Sequence, residues 1–218
     1  MKSQENTNVQ AKRGKFIAFE GIDGSGKSTQ IRLLADRLRD EGVSCYTTME
    51  PTDSPIGSLI HHIMTGRIKT DNRVIAGLFV ADRLDHLLNE VDGIVPKITE
   101  GTTVLTDRYY FSSYAYQSVD MPLEWVIQAN SQSREILRPT VTIFIDVDPD
   151  TAMDRITKNR FSQELFEKRS RLAEVREKYF QVFERFREEE KYVVIDGKRT
   201  QEEIAEDIWN AVKEYFVS

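Results

Sequence analysis

The segment Gly21-Ile-Asp-Gly-Ser-Gly-Lys-Ser28 constrains this chain more than any other, because it matches G-x-x-x-x-G-K-[ST] in full. It sits between an apolar run, Lys15–Glu20, and a helix-forming run, Thr29–Arg39. Strand, glycine loop and helix in that order build a cradle for phosphate: the glycines let the backbone curl, and successive N–H groups and the helix N-terminus point at the phosphate oxygens. Gly21, Gly24, Ser25, Gly26 and Thr29 form the cradle, Lys27 reaches the outer phosphates and Ser28 ligates magnesium. The pattern therefore predicts a site for a nucleoside triphosphate with Mg2+.

The flanking sequence supplies a matching scaffold. Strand-type runs at Lys15–Glu20, Val43–Met49, Thr102–Asp107, Thr140–Val147 and Tyr192–Ile195 alternate with helical stretches at Lys27–Glu41, Pro55–Thr65, Asn72–Val91, Pro122–Leu137, Pro149–Thr157, Gln163–Glu190 and Gln201–Phe216. Such alternation predicts an α/β fold around a largely parallel sheet. With 218 residues, 39% of them hydrophobic and 30% charged, the chain is long enough for one domain over residues 14–218, with residues 1–13 as a disordered tail. The long segment Gln163–Glu190 spaces Leu172, Val175, Tyr179, Val182 and Phe186 three or four apart, the period of an amphipathic helix with a solvated, ion-paired face.

Charge and cysteine content exclude further classes. Thirty basic against thirty-six acidic residues leave a net charge of −6, which argues against a nucleic-acid surface. No apolar stretch approaches the roughly 18 residues of a membrane span, so no membrane partner is expected. A single cysteine, Cys45, read as a core residue, cannot make an internal disulfide, and a reducing cytoplasm is the matching compartment. His61 and His62 are adjacent and so diverge on their helix, and His86 stands apart, so zinc is not expected.

Phosphate loops serve switches, motors and kinases alike, and the remaining sequence must choose among them. No guanine-reading N-K-x-D is present, and the chain is short for a motor, which favours a small-molecule kinase. Two apolar strand strings, Thr102–Asp107 and Thr142–Asp146, place an aspartate at the edge where ligands of open α/β sheets gather. Asp107 is followed at once by Arg108, a carboxylate beside a phosphate-binding guanidinium, and is assigned to the site and its metal. Asp146 runs into Asp148-Pro149, a helix start, and is read as structural.

The string Asp107-Arg-Tyr-Tyr-Phe-Ser-Ser-Tyr-Ala-Tyr-Gln117, with Leu78-Phe-Val-Ala-Asp-Arg83, Glu50-Pro51 and the phosphate loop, resembles the thymidylate kinases, the dTMP kinases among P-loop nucleoside monophosphate kinases. The likeness runs from about Lys15 to Phe216. It implies a five-stranded parallel sheet surrounded by helices, transfer of the ATP γ-phosphoryl group to dTMP, Mg2+ and a homodimer. It further implies that Phe79 stacks on thymine while Arg83, on the same helix face, reads its edge. Arg108 would grip the dTMP phosphate, and Asp23 would accept from the sugar 3′-hydroxyl. Ser112 and Gln117 would shape the base pocket, with Glu50 and Pro51 beside it. The segment Asp154-Arg-Ile-Thr-Lys-Asn-Arg160-Phe resembles a short lid, about residues 155–163, whose Arg155 and Arg160 would supply the cations absent from the phosphate loop.

Three features depart from the family pattern. Its frequent T-R-E-P reads Thr48-Met-Glu-Pro51, the glycine-rich stretch after A-Y-Q is Ser118-Val-Asp-Met-Pro122, and the lid is short. Two alternatives therefore stay open: a monophosphate kinase of other base specificity, and a deoxynucleoside kinase with Glu50 as general base.

Overall fold

A computed structural model describes residues 13–156 and 163–216. In chain order the elements are β1 (Phe16–Glu20), α1 (Lys27–Asp40), β2 (Cys45–Met49), α2 (Pro55–Met64), α3 (Asn72–Leu88), α4 (Ile94–Thr99), β3 (Thr103–Asp107) and α5 (Tyr110–Gln117). They continue with α6 (Leu123–Ala129), α7 (Ser131–Ile136), β4 (Val141–Asp146), α8 (Pro149–Ile156), α9 (Gln163–Phe186), β5 (Tyr192–Asp196) and α10 (Gln201–Val212). The strands form one sheet in the order β2-β3-β1-β4-β5, and every neighbouring pair is parallel.

Strand alternation divides the core between the two faces of the sheet. Ile17, Phe19, Leu105, Ile143 and Ile145 pack against α1 and α10 through Leu34, Leu38, Ile208 and Trp209. Phe16, Ala18, Val104 and Phe144 face the other way, onto Leu87 of α3, Tyr110 and Tyr114 of α5, and Tyr179 and Phe183 of α9. Glu20 shares this second face by register, so a carboxylate enters the larger core.

Differences from the sequence reading have local causes. The stretch expected as one helix over Pro122–Leu137 is two, broken at Asn130, whose Nδ2 donates to the Val126 carbonyl at 2.8 Å. An asparagine that bonds backbone in this way interrupts the helical ladder. Helix α5 was not expected, because seven of its eight residues are buried and no polar face exposes its period. Helix α4 is a six-residue turn, too short for a periodic signal. The helices expected to end at Val91, Glu190 and Phe216 stop at Leu88, Phe186 and Val212. Cys45 is not in the core: it lies half-buried on the edge strand β2, with its thiol pushed up by burial to about 11. Of the lid, Arg155 and Ile156 end α8, while Arg160 lies outside the described residues, as does the tail up to residue 12.

Candidate active site

At the carboxyl edge of β1 the chain turns through the glycine loop into α1. Gly24 has φ of 81°, and a Cβ there would stand 2.5 Å from the Ala152 carbonyl oxygen, so only glycine allows the loop to lie against α8. Gly26, at φ of 100°, is the left-handed residue from which α1 starts. Lys27 curls back over the loop: its Nζ donates to the carbonyls of Gly21 (3.1 Å) and Ile22 (3.3 Å) and stands 3.8 Å from Asp107 Oδ1. Burial, and then the Arg108 charge, lower its pKa to about 8, with Asp107, Asp23 and Glu20 opposing. A lysine so placed is poised to gain charge when an anion arrives.

Ser28 Oγ donates to Asp107 Oδ2 at 2.9 Å, and the buried Oδ1 of Asp107 accepts no hydrogen bond. A hydroxyl and a carboxylate with an open oxygen, side by side at the loop's end, are hard oxygen donors suited to Mg2+ completed by phosphate and water. Among the described residues no group of three or more His, Cys, Asp or Glu residues stands as a metal cage. Such an arrangement fits a cation carried in with its nucleotide.

Two cavities that meet at this edge flank Arg108. The larger, about 570 Å³, is walled by the glycine loop, Asp107, Arg155, Arg199, Gln201 and Ile204. The smaller, about 240 Å³, runs between α3 and α5 and is lined by Pro51, Phe79, Arg83, Ser112, Tyr116 and Gln117 among others. Asp23, Glu50 and Arg108 line both and so mark their junction.

Arg108 holds that junction under backbone strain. It is the only non-glycine residue among those described with positive φ, 76°. Such a conformation persists only where the surroundings over-determine it. The Arg108 N–H donates to the Phe19 carbonyl (2.8 Å), and the Arg108 carbonyl accepts from Thr106 Oγ1 (3.0 Å). Its guanidinium reaches Asp23 Oδ1 (2.7 Å), Tyr116 Oη (3.1 Å) and Ser112 Oγ (3.0 Å) and lies over the Tyr116 ring.

Arg83 is 1% exposed, and four of its five N–H groups donate: Nε to Glu50 (2.8 Å), Nη1 to Ser113 Oγ and Asn130 Oδ1, and Nη2 to the Tyr109 carbonyl, while Nη2 also stands 2.6 Å from the same Glu50 oxygen as an ion pair. Reading a base edge with this guanidinium means sharing a nitrogen that already has a partner. Glu50 also meets His86 Nδ1 at 3.2 Å, and His86 Nε2 lies 2.7 Å from Thr48 Oγ1. Burial alone would raise the Glu50 pKa, but Arg83 and His86 hold it below the ordinary carboxylate range. Asp82 ties the segment after Pro51 to α3 by accepting from Thr52 N (2.9 Å) and Ser54 Oγ (3.1 Å).

Arg155 lies on the wall of the larger cavity, donating to the Ser25 carbonyl (3.2 Å) and the Gly197 carbonyl (2.8 Å). Asp146, read as structural, is bound by Arg176 of α9 through both oxygens at 2.6 and 2.8 Å, and Asp148 caps α8 by accepting from Thr151 N at 2.9 Å. Sequence reading missed Glu20, Tyr116, Tyr179, His86 and Asn130. Their one visible signal was a carboxylate closing the apolar run Phe16–Glu20.

The thymidylate kinase family model matches residues 19–208, which contain the glycine loop, the Arg83 helix and the Asp107–Gln117 string. The chain belongs to the thymidylate kinase family. A probable thymidylate kinase of Caldivirga maquilingensis is 41% identical over 202 residues, covering 91% of this chain and 93% of that protein. Probable thymidylate kinases of Methanocaldococcus jannaschii and Pyrococcus horikoshii are 36% and 38% identical over 91% and 92% of the chain, covering 95% and 97% of their own lengths. The five-stranded parallel sheet expected of a thymidylate kinase is the sheet observed, and the protein is accordingly an ATP-dependent nucleoside monophosphate kinase.

Proposed function

We propose that the enzyme transfers the γ-phosphoryl group of ATP to dTMP, giving dTDP and ADP, with ATP in the 570 Å³ cavity and dTMP in the 240 Å³ one. The observation that carries this assignment is Arg108 at the junction: a permanently charged guanidinium there suits an acceptor that is itself an anion. A deoxynucleoside kinase would instead need a free base, and Glu50, the candidate, is 4% exposed and held ionised by Arg83 and His86. A carboxylate of depressed pKa, with both oxygens engaged, is a poor general base.

Because a phosphate monoester has a second pKa of about 6, its oxygen is already a nucleophile at neutral pH. The protein's task is then positioning and charge neutralisation. Lys27 and the loop N–H groups hold the donor phosphates, and Arg108 orients the acceptor phosphate in line with them. Phe79 packs against the base, Gln117 and Ser112 border it, and Asp23 meets the sugar. Arg155, already on the donor wall, and Arg160 cover the transferring group. Ser28 and Asp107 would hold Mg2+, which when bound neutralises charge on the donor phosphates.

A homodimer and a cytoplasmic setting complete the reading. Val74 and Leu88 of α3 are about half exposed, at 49% and 51%, and with exposed Gly77 and Ala81 they make an apolar face suited to a second copy. The lone Cys45 suits a reducing compartment, and no helix among the described residues is long and apolar enough to cross a membrane. The test is ADP release with dTMP, dUMP, dCMP, UMP and thymidine as acceptors. The largest kcat/KM is expected with dTMP, and efficient phosphorylation of thymidine with dTMP inert would overturn the assignment.

A further inference from the structure

Glu20 is fully buried, yet no part of the reaction described above uses it. Its carboxylate has four hydrogen-bond donors around it. Oε1 accepts from the N–H groups of Tyr109 (2.9 Å) and Ser112 (3.1 Å), and Oε2 accepts from Ser112 Oγ (2.5 Å) and Tyr179 Oη (2.8 Å). The first pair makes Glu20 the cap of α5, whose own N-cap residue, Tyr109, makes no side-chain capping hydrogen bond. A carboxylate at a helix N-terminus meets both the unpaired N–H groups and the positive end of the dipole.

The second pair leads to the site. Ser112 Oγ and Tyr179 Oη lie 2.8 Å apart, and both accept from Arg108 Nη1, at 3.0 and 3.5 Å. A hydroxyl whose proton is directed at Glu20 keeps its lone pairs free to accept from Arg108. Burial raises the Glu20 pKa above the ordinary carboxylate value, against the pull of Ser112, Arg108, Tyr179 and the Tyr109 N–H, so the ionised form depends on these same partners.

We propose that Glu20 is a positioning residue for the acceptor phosphate: its carboxylate orients the Ser112 and Tyr179 hydroxyls so that together they fix the Arg108 guanidinium at the junction of the two cavities. The proposal rests on the reading that the acceptor is a nucleoside monophosphate gripped by Arg108. It also accounts for the position of Ser112, which serves the guanidinium as much as the cavity wall.

Glu20→Gln keeps the size of the side chain but brings an NH2 group to two hydroxyl oxygens, both of which already carry protons. Donors then outnumber acceptors, and the hydroxyl lone pairs turn away from Arg108. The KM and the calorimetric Kd for dTMP are expected to rise roughly tenfold or more, the scale of one charge-assisted hydrogen bond, while the KM for ATP stays within about twofold. Tyr179→Phe removes one arm without adding a donor, and is expected to shift dTMP in the same direction by roughly threefold. A purely structural Glu20 would lower melting temperature and active fraction without this split. If Glu20→Gln does not fold, Tyr179→Phe alone decides. Unchanged dTMP binding in a folded variant, or an equal rise for ATP, overturns the positioning role. A wild-type enzyme that ignores dTMP overturns the acceptor assignment and this proposal with it.

Discussion

Proton uptake on ATP binding tests the most perturbed lysine of the site directly. In the free enzyme Lys27 has its pKa lowered to about 8, first by burial and then by Arg108. The donor's triphosphate brings negative charge to its Nζ and restores the pKa toward the ordinary lysine value. Lys27 is therefore partly neutral before binding and charged after it, so binding takes up protons. From a free pKa of about 8, uptake is about 0.1 proton per ATP at pH 7, about half a proton at pH 8 and about 0.9 at pH 9. ATP affinity falls correspondingly as pH rises through 8, approaching tenfold, or about 1.4 kcal/mol, per pH unit while the bound form stays protonated. Calorimetric titration with MgATP in buffers of different ionisation enthalpy measures the uptake, and Lys27→Arg, charged throughout, should remove it. No uptake at pH 9, or uptake surviving in Lys27→Arg, would refute the reasoning.

Lys27→Ala should leave the fold intact, judged by circular dichroism, and abolish phosphoryl transfer. Arg108→Met should raise the KM for dTMP by roughly 10²-fold, because its partner is a phosphate present in the ground state, with a much smaller change for ATP. Arg155→Met should lower kcat/KM for ATP by roughly 10²-fold and leave the KM for dTMP unchanged in steady-state assays, the scale of losing one preorganised donor. Arg83→Met strands the Glu50 carboxylate beside His86 in the interior and should cost about 3–5 kcal/mol in denaturant unfolding, the loss typical of breaking a buried ion pair.

What the sequence disclosed was what adjacency can carry. The glycine loop, Ser28, Asp107 and Arg108 are legible because each stands beside a strand end, and a strand end fixes where it lies. Phe79 and Arg83 are legible as a pair because four residues on a helix make one face. Legibility fails where partners are remote. Arg83 meets Asn130 across 47 positions and Glu20 meets Tyr179 across 159, and no local period announces either contact. The pairing of Arg83 with Glu50 was hidden for the same reason: the sequence placed Arg83 beside Phe79 on the cavity wall but not the buried ion pair that holds it there. Helix α5 was hidden by its own success: Tyr110, Phe111, Tyr114 and Ala115 are all in the core, and a helix buried nearly all round shows no amphipathic stripe.

The all-parallel sheet gives the two ends of the protein different freedoms. The turns after β1, β2, β3 and β5 that line the two cavities leave the carboxyl edge, while Gly42, Gly101 and Thr140 return the chain to the opposite edge. Gly42 is exposed with open space around it, and neighbouring Glu41 is exposed too. Lengthening a loop there costs little closure entropy, about 0.6 kcal/mol for each doubling. Fluorophores, affinity tags or whole inserted domains can be grafted at that distal rim, and in descendants of this chain new length can accumulate there without passing through a state that has lost catalysis.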